Sequence, residues 1–345
     1  MLSGGLMVLK AELHCHIEGA ASVPLVQRKA AKYGVDVSGF IQDEKFVWDD
    51  FTSFLHAYDQ ASMLFRTEED YADLAEDYLL ALSRQDCIYS EVFISTDHAI
   101  SAGLDPRAYI EGLAEGTSRA KAATGIEGRL IATGLRHKGP EAVLAAARYI
   151  VENPHPLVTG FGMAGDERMH RPGDFAAAFN LARDAGLGIT VHAGELCGWE
   201  SVAAALDAIK PTRIGHGVRA IENPDLVKRL AAEQIVLECC PGSNIALGVY
   251  PDFAAHPLPA LARAGVPVTL NADDPPYFHT DLTREYAIAA NNFGYDEAGL
   301  VAVTETALKA AFIDEDTRRS LIQRLAADKT VRASVEIFAG PAPKG

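Results

Sequence analysis

The 345-residue chain has the composition of a globular protein: 48% of its residues are hydrophobic and 23% are charged. Its 47 acidic and 31 basic residues give a formal net charge of −16, which argues against nucleic-acid binding, because lysine and arginine must neutralise phosphates. No run approaches 18 apolar residues, so no membrane-spanning helix is expected. We expect a small neutral molecule as the partner, with no nucleic acid and no membrane, and composition indicates no oligomeric state.

The cysteines indicate a reducing compartment. Their number is odd, their positions are irregular, and no pair has C-x-x-C spacing. The segment 1–10 lacks the basic region and the long apolar region of a signal peptide. We therefore expect free thiols and a cytoplasmic location. The cysteines are Cys15, Cys87, Cys197, Cys239 and Cys240.

Eight short apolar runs recur along the chain, and most are followed by a segment with helical spacing. Strands that alternate with helices form parallel βαβ units, so eight of them predict a closed (β/α)₈ barrel, an α/β fold of the TIM type. A doubly wound open sheet is the alternative, but no glycine-rich phosphate-binding loop follows any run. The runs are 11–17, 87–95, 129–135, 157–163, 187–193, 212–217, 234–240 and 267–273.

Residues 18–86 interrupt this alternation. They contain no convincing strand, but a long helical pattern extends over residues 49–85. We expect this helical insertion to pack against the barrel, and a lid formed by residues 48–65 over the barrel mouth is the alternative. The residues after 283 form a helical C-terminal tail in the same prediction. The whole chain, 1–345, is therefore predicted to be one barrel domain.

Titratable side chains follow the C-terminal ends of four predicted strands, the rim at which barrel enzymes place catalytic residues. The first strand ends in His14 and His16, and Glu18 follows. In an extended strand these three side chains share one face. The fifth strand ends in "VHAGE", the sixth in "IGHG" and the eighth in "LNADDP". These segments contribute His192, Glu195, His216, Asp273 and Asp274.

This combination of histidines and carboxylates favours a metal site. Three imidazoles and one carboxylate suit a divalent metal such as zinc, which lowers the pKa of a bound water to about 7. Each residue alone has an ordinary explanation: His192 as a core histidine, Glu195 at a helix start, or Asp273 and Asp274 as a helix cap. Their joint occurrence at strand ends makes a metal site the better interpretation. The fourth strand lacks the lysine that bridges two metals in binuclear barrel hydrolases, so one metal ion is expected.

The other histidines receive no predicted role, because solvation or helix capping is the ordinary explanation for most of them. They lie on the insertion, in predicted loops or at predicted helix ends. They are His56, His98, His137, His155, His170, His256 and His279.

The ordered motifs resemble those of the adenosine deaminase family of the amidohydrolase superfamily. The matching segments are "AELHCHIEGA", "GFGMAGDE", "VHAGE", "RIGHG", "LECCPGSN" and "LNADDP", spread from about residue 10 to residue 280. The resemblance implies a (β/α)₈ barrel and hydrolytic replacement of a purine 6-amino group by oxygen, with release of ammonia. It also implies one zinc ion per chain, or alternatively Fe²⁺, with His14, His16, His192 and Asp273 as ligands.

The resemblance further implies roles in catalysis. Glu195 would be the general acid that protonates purine N1, which requires a carboxyl whose pKa is raised by the closed pocket. His216 would take or orient the proton of the attacking water and stabilise the developing alkoxide. Asp274 would hold the attacking hydroxide and contact purine N7, and the backbone of Gly165 would meet purine N3. The implied substrate-binding residues are His16, Glu18, Gly165 and Asp274.

The motifs leave the purine open between a nucleoside and a free base. Glu18 in "HIEG" is like the free-base adenine deaminases, whereas adenosine deaminases usually have an aspartate there that meets the ribose. The segment "MAGDE" is instead like the nucleoside enzymes. We expect deamination of adenosine to inosine and ammonia, with deoxyadenosine as an additional candidate substrate. The alternatives are adenine, which gives hypoxanthine, and a modified purine nucleoside.

Overall fold

Parallel strands follow one another around a barrel in the order of the sequence. The computed structural model describes residues 8–339, excepting the side chains of Phe51 and of residues 329–339. Within this range it has eight barrel strands with helices between them, which confirms the predicted (β/α)₈ fold. The strands are β1 Lys10–Glu12, β2 Cys87–Ile94, β3 Glu127–Leu135, β4 Val158–Ala164, β5 Gly188–Ala193, β6 Arg213–His216, β7 Val236–Cys239 and β8 Val268–Leu270.

Helices surround the barrel and fill the insertion and the C-terminal region. Several begin and end with the residues typical of helix termini. In the first helix, Ser22 Oγ accepts a hydrogen bond from Leu25 N at 3.3 Å, and Gly34 with a φ of 65° ends the helix. The helices are α1 Val23–Tyr33, α2 Phe51–Ser62, α3 Glu68–Ser83, α4 Thr96–Ser101, α5 Pro106–Thr124, α6 Pro140–Glu152, α7 Ala176–Asp184, α8 Trp199–Ala208, α9 Pro224–Glu233, α10 Pro241–Ala246, α11 Leu258–Arg263, α12 Leu282–Phe293, α13 Glu297–Ala310 and α14 Glu315–Ala339.

Backbone hydrogen bonds close the barrel between the segments that follow β1 and β8. Asp273 N donates to His14 O at 3.1 Å, and His16 N donates to Asp273 O at 3.1 Å. Cys15 and Asp273 form the corresponding parallel bridge. The closure of the barrel therefore places two of the predicted metal ligands directly beside a third.

The first strand is shorter than predicted, and one inference from it is wrong. The run 11–17 is predicted to be one strand, but β1 ends at Glu12, where Leu13 N donates to the side-chain Oδ1 of Asn271 at 2.9 Å, and only isolated bridges at Cys15 and His16 continue the pairing. Glu18 lies in a 3₁₀ turn, Glu18–Ala20. This turn removes Glu18 from the extended segment, so the prediction that Glu18 shares one strand face with His14 and His16 is wrong.

The insertion between β1 and β2 contains three helices and a short hairpin. The hairpin pairs Ile41–Gln42 with Lys45–Phe46, strands too short to be recognised in the sequence. The helical pattern over 49–85 divides into α2 and α3, because Thr67 caps α3 by accepting from Asp70 N at 3.2 Å. The insertion is helical as predicted, but it is built from separate short helices.

Helix α2 both packs against the barrel and covers its mouth. The buried ring of Phe54 lies 5.6 Å from that of Tyr277 and 5.1 Å from that of Phe278. Tyr58 and Asp59, on the same helix, line the cavity inside the mouth. The sequence leaves two interpretations of residues 48–65, packing against the barrel and a lid over its mouth. Each interpretation describes part of helix α2.

The C-terminal region is helical as predicted. Helix α13 packs against β1 and β8, and Thr304 Oγ1 donates to Leu9 O at 2.8 Å. All five cysteines lie in the described range as free thiols, in agreement with the prediction. Among the described residues, no helix combines the length and the apolar character needed to cross a membrane.

Candidate active site

The predicted metal ligands converge at one rim of the barrel. His14 and His16 follow β1, His192 lies near the end of β5, and Asp273 follows β8. His16 Nε2 lies 3.2 Å from His192 Nε2 and 3.4 Å from Asp273 Oδ1. His14 Nε2 lies 3.8 Å from the same oxygen. Three imidazole nitrogens and one carboxylate oxygen thus form a single cluster.

The hydrogen bonds of two imidazoles direct lone pairs into this cluster. His14 Nδ1 donates to Glu238 Oε2 at 2.8 Å, and His192 Nδ1 donates to the carbonyl oxygen of Met163 at 2.9 Å. With the proton on Nδ1, each Nε2 presents a bare lone pair. Among the residues that the structure describes, the buried His14 Nε2 has no hydrogen-bond partner. Bare nitrogens beside a buried carboxylate fit a divalent metal ion.

The electrostatics of the cluster also fit a cation. Burial lowers the pKa of His192 to about 4 and the pKa values of His14 and His16 well below 6.5, so the rings are neutral. Burial raises the pKa of Asp273 to about 7, and a hydrogen bond from Ser243 at 2.6 Å opposes this rise. A bound cation would stabilise the ionised carboxylate and needs neutral imidazoles as ligands.

Glu195 is held by a loop whose backbone amides converge on one carboxylate. Glu167 accepts hydrogen bonds from the N–H groups of Gly194, Glu195, Leu196 and Cys197 at 2.6, 3.0, 2.8 and 2.9 Å. Burial, followed by neighbouring carboxylates, raises the pKa of Glu195 well above its usual range. An un-ionised carboxyl is what a general acid requires. No role follows for Glu167 from the sequence, although it lies in the quoted motif "MAGDE".

His216 and Asp274 flank the same cluster. His216 Nε2 lies 3.6 Å from Glu195 Oε1 and 3.9 Å from Asp273 Oδ2. His216 and Asp273 have φ angles of 59° and 63°, a left-handed conformation that costs non-glycine residues about 1–3 kcal/mol and occurs preferentially at functional sites. Burial raises the pKa of Asp274, and its Oδ1 has no partner among the described residues.

Two glycines allow close approaches around the site. A Cβ on Gly19 would lie 1.7 Å from Asp274 Oδ1, which a side chain would displace. Gly165 has a φ of 98°, and a Cβ there would lie 2.8 Å from His137 Nδ1. Both positions therefore require glycine, and Gly165 lines the cavity of the site.

These residues open into one cavity of about 100 Å³. Its wall includes every residue predicted to act in catalysis or substrate binding, and it also includes aromatic side chains from α2 and β2 that no sequence motif indicates. The predicted residues that line it are His16, Glu18, Gly165, Glu195, His216 and Asp274.

Glu18 forms one wall of this cavity and is held in place by tyrosines. Tyr109 OH donates to Glu18 Oε1 at 2.8 Å, and the same hydroxyl accepts from Ser95 N at 3.0 Å. Tyr58 OH lies 3.5 Å from the second carboxylate oxygen. Glu18 is only 2% exposed, and burial raises its pKa to about 7, although the tyrosine hydrogen bonds oppose that rise.

Comparison with known proteins decides the family. Residues 9–328 match the family model described as adenosine deaminase. The chain belongs to the adenosine deaminase family. The adenine deaminase of Chelativorans sp. (strain BNC1) is 65% identical over 319 residues, which are 92% of this chain and 98% of that protein. Membership of this family confirms the predicted resemblance and identifies the protein as a hydrolytic deaminase.

Solved structures have the same fold as this deaminase. The crystal structure of adenine deaminase from Arthrobacter aurescens has a TM-score of 0.87 and 27% identity, over 93% of this chain and 99% of that chain. An amidohydrolase from Burkholderia ambifaria, solved with bound zinc, also has a TM-score of 0.87, over 96% of this chain and 93% of that one. At 24% identity, this second likeness shows the fold alone.

A buried ion-pair network supports the cluster of this deaminase from below. Arg213 Nε donates to Glu238 Oε1 and Arg213 Nη2 donates to Glu91 Oε2, each at 2.6 Å. Thr190 Oγ1 also donates to Glu238 Oε1, at 3.0 Å. Glu238 in turn holds His14, an arrangement that fixes ring orientation and ligand basicity in metal sites. In the sequence, the signal that could have revealed this network is a charged residue within an apolar strand, such as Glu238 in the run 234–240.

Two histidines without a predicted role lie close to the site. His98 lines the cavity beside the ring of Tyr58, at 5.6 Å, and burial lowers its pKa to about 4. His256 is 4% exposed, and its Nε2 lies 3.1 Å from Asn244 Oδ1. Solvation does not describe either residue, and capping describes His256 only in part, because its Nδ1 accepts from Leu258 N at 3.3 Å at the start of α11. No local pattern marks them, because their neighbours come from other parts of the chain.

Proposed function

We propose that this enzyme is an adenine deaminase, which converts adenine and water to hypoxanthine and ammonia. The observation that carries the proposal is the buried Glu18, fixed by Tyr109 on the wall of a small cavity. Relatives named adenine deaminases, up to 65% identical, support the same choice. They favour adenine over the adenosine expected from the sequence, and adenosine becomes the alternative.

Glu18 provides a chemical reason to prefer the free base. Adenine carries a hydrogen on its imidazole ring at the position where adenosine carries ribose. A carboxylate fixed in a closed cavity can accept a hydrogen bond from this N–H, and the longer side chain of glutamate takes space that a sugar would need. Sites built around such a hydrogen bond discriminate strongly against analogues that cannot form it.

The metal site has a defined set of candidate ligands. His14, His16, His192 and Asp273 would hold one divalent ion, and zinc suits three imidazoles with one carboxylate, with Fe²⁺ as the alternative. When bound, the ion supplies a Lewis acid that makes water a nucleophile at neutral pH.

The other side chains orient the substrate and move protons. Glu195, kept protonated by its raised pKa, gives a proton to purine N1, which makes C6 electrophilic. His216 and Asp274 face the attacking water and hold it towards C6, and Asp274 contacts N7. The backbone N–H of Gly165, which lines the same cavity, donates to N3, as the family resemblance implies.

Product analysis tests this function directly. Zinc-loaded protein is incubated with adenine, and chromatography and an ammonia assay follow hypoxanthine and ammonia. We expect equal amounts of both products, and loss of turnover in protein stripped by a chelator. Conversion of adenosine without conversion of adenine would show a nucleoside deaminase instead. Turnover of neither substrate by protein with a full zinc content would contradict both assignments.

A further inference from the structure

A chain of hydrogen bonds connects the start of α11 to His216. Leu258 N donates to His256 Nδ1 at 3.3 Å, and His256 Nε2 lies 3.1 Å from Asn244 Oδ1. Asn244 Nδ2 lies 3.3 Å from His216 Nδ1. The side chains of His256, Asn244 and His216 are all buried. The chain therefore runs through the protein interior, away from solvent.

The direction of every hydrogen bond in this chain follows from its first donor. A backbone amide only donates, so His256 Nδ1 must be the bare nitrogen of its ring. Burial lowers the pKa of His256 to about 4, so the ring is neutral and carries its single proton on Nε2. That N–H donates to Oδ1 of Asn244 and fixes the orientation of the amide. The amide NH₂ then faces His216 Nδ1, which must accept.

We propose that Asn244 and His256 are positioning residues that hold His216 as the neutral tautomer with its proton on Nε2. Nε2 faces Glu195 Oε1 at 3.6 Å and Asp273 Oδ2 at 3.9 Å, distances too long for direct hydrogen bonds. The N–H is thus directed into the space between the catalytic groups.

The consequence for the reaction is a specific role for His216. With the proton already on Nε2, this nitrogen donates a hydrogen bond to the attacking oxygen and does not take the proton of the water, which passes instead to the carboxylate of Asp274 that also faces the water. The family resemblance leaves open whether His216 takes the proton of the water or orients the water. In this proposal His216 orients the water and stabilises the developing negative charge, and it does not abstract the proton. This inference rests on the proposed function and deepens it.

The tautomer can be measured without any substrate. Zinc-loaded protein labelled with ¹⁵N-histidine gives ring-nitrogen shifts that separate protonated from bare nitrogens, and the His216 signals are those lost in H216N. We expect a protonated Nε2 and a bare Nδ1 for His216, and the same pattern for His256. A protonated Nδ1 on His216 would overturn the proposal. Because no turnover is involved, failure of the adenine assignment would leave this measurement interpretable.

A near-isosteric substitution of Asn244 reverses the predicted hydrogen bond. In N244D the carboxylate still accepts from His256, but it offers no donor to His216, so the proton of His216 should move to Nδ1. We expect the corresponding change in the NMR signals and a fall in kcat of about tenfold or more, as expected when a catalytic histidine has the wrong tautomer. The KM for adenine and the zinc content should change little.

A matched pair of variants tests His256. H256Q retains a donor for the Asn244 oxygen, whereas H256L keeps apolar packing against Phe293, whose ring lies 5.5 Å away, but removes the donor. H256L should lower kcat, and H256Q should restore most of it. Equal kcat in both variants, or an unchanged His216 tautomer in N244D, would contradict the positioning role. If N244D does not fold, the wild-type spectrum alone decides the proposal.

Discussion

Glu18 and Glu195 line one cavity, but their neighbours give them different chemistry. Tyrosine hydroxyls donate to Glu18, so its pKa rises only to about 7, and it can ionise near neutral pH. Glu195 is buried among carboxylates, so its pKa rises well above the usual range and it stays protonated. One glutamate is suited to accept a hydrogen bond and the other to donate a proton.

The substitution Glu18→Asp tests the role of this residue in selecting the base. The shorter side chain withdraws from Tyr109 and opens space on the wall. We expect the ratio of kcat/KM for adenosine to that for adenine to rise by about tenfold or more. Tyr109→Phe is the matched control, because it keeps the carboxylate and should change the ratio less. An unchanged ratio in Glu18→Asp would show that Glu18 does not select the substrate.

The substitution Glu195→Gln tests the proton donor. We expect a loss in kcat of about a hundredfold or more, with the zinc content unchanged, because Glu195 is not a proposed ligand. In the wild type, kcat/KM should fall as pH rises through the pKa of Glu195, because only the protonated acid is active. Turnover near the wild-type rate in the variant would refute the role.

At the scale of single elements, the short helix α10 and the loop after β5 position several of the proposed catalytic and metal-binding groups. Consecutive residues of α10 serve two partners: Ser243 donates to Asp273 Oδ2 at 2.6 Å, and Asn244 contacts His216. In the loop after β5, four successive backbone N–H groups bind Glu167, which fixes the position of Glu195. Small irregular elements, and not the strands alone, therefore set the geometry of the site.

The substitution Glu167→Gln should disturb that loop. One acceptor oxygen is replaced by an NH₂ group that faces backbone donors, so buried N–H groups lose their partner. We expect a loss of about 1–3 kcal/mol in the free energy of unfolding measured with urea, together with slower turnover. Asp166→Asn changes the neighbouring residue, which pairs with Arg168 outside the cavity, and should stay within about 0.5 kcal/mol. Equal stability of both variants would contradict the role of Glu167.

At the scale of the whole molecule, the barrel interior carries charge directly below the site. Arg213 is 1% exposed and lies between Glu91 and Glu238, so the network holds more negative than positive charge. Glu238 is also the partner of His14. The network therefore links the stability of the barrel to the orientation of a proposed metal ligand.

The substitution Arg213→Met should destabilise the fold strongly. It leaves two buried carboxylates without their cation, for which we expect a loss of about 3–5 kcal/mol in urea unfolding. Arg229→Met is the matched control, because Arg229 pairs with Asp207 and Glu233 at the surface, where the loss should be about 1 kcal/mol or less. Similar losses in the two variants would show that the interior network does not stabilise the barrel.

The sequence predicts the repeated parts of this molecule well and the long-range polar contacts poorly. Strand runs, the helical tail and the rim histidines follow from periodicity and from ordered motifs. At the early end of β1, Leu13 contacts Asn271, 258 residues away, and no local pattern shows this contact. The partnership of His14 with Glu238, 224 residues away, is hidden in the same way. The native metal and the single-domain organisation of the chain stay predictions.

The identity of the purine substrate does not follow from the sequence motifs, because two of them point to different substrates and the relatives agree with only one. The motif "MAGDE" favoured a nucleoside, whereas Glu18 and the similar proteins favour the free base. The motifs do not show what a side chain contacts, and the structure places Glu18 on the cavity wall with Tyr109. For the choice of substrate, the position of Glu18 in the cavity is therefore stronger evidence than the resemblance of the short segment "MAGDE".

Competition between the two substrates tests the central claim most directly. Zinc-loaded wild-type protein is given adenine and adenosine at equal concentration, and chromatography follows hypoxanthine and inosine in the same sample, so the rate ratio gives the ratio of kcat/KM. We expect hypoxanthine to form while adenosine persists. Formation of inosine ahead of hypoxanthine would contradict the assignment of Glu18 and of the free base as substrate.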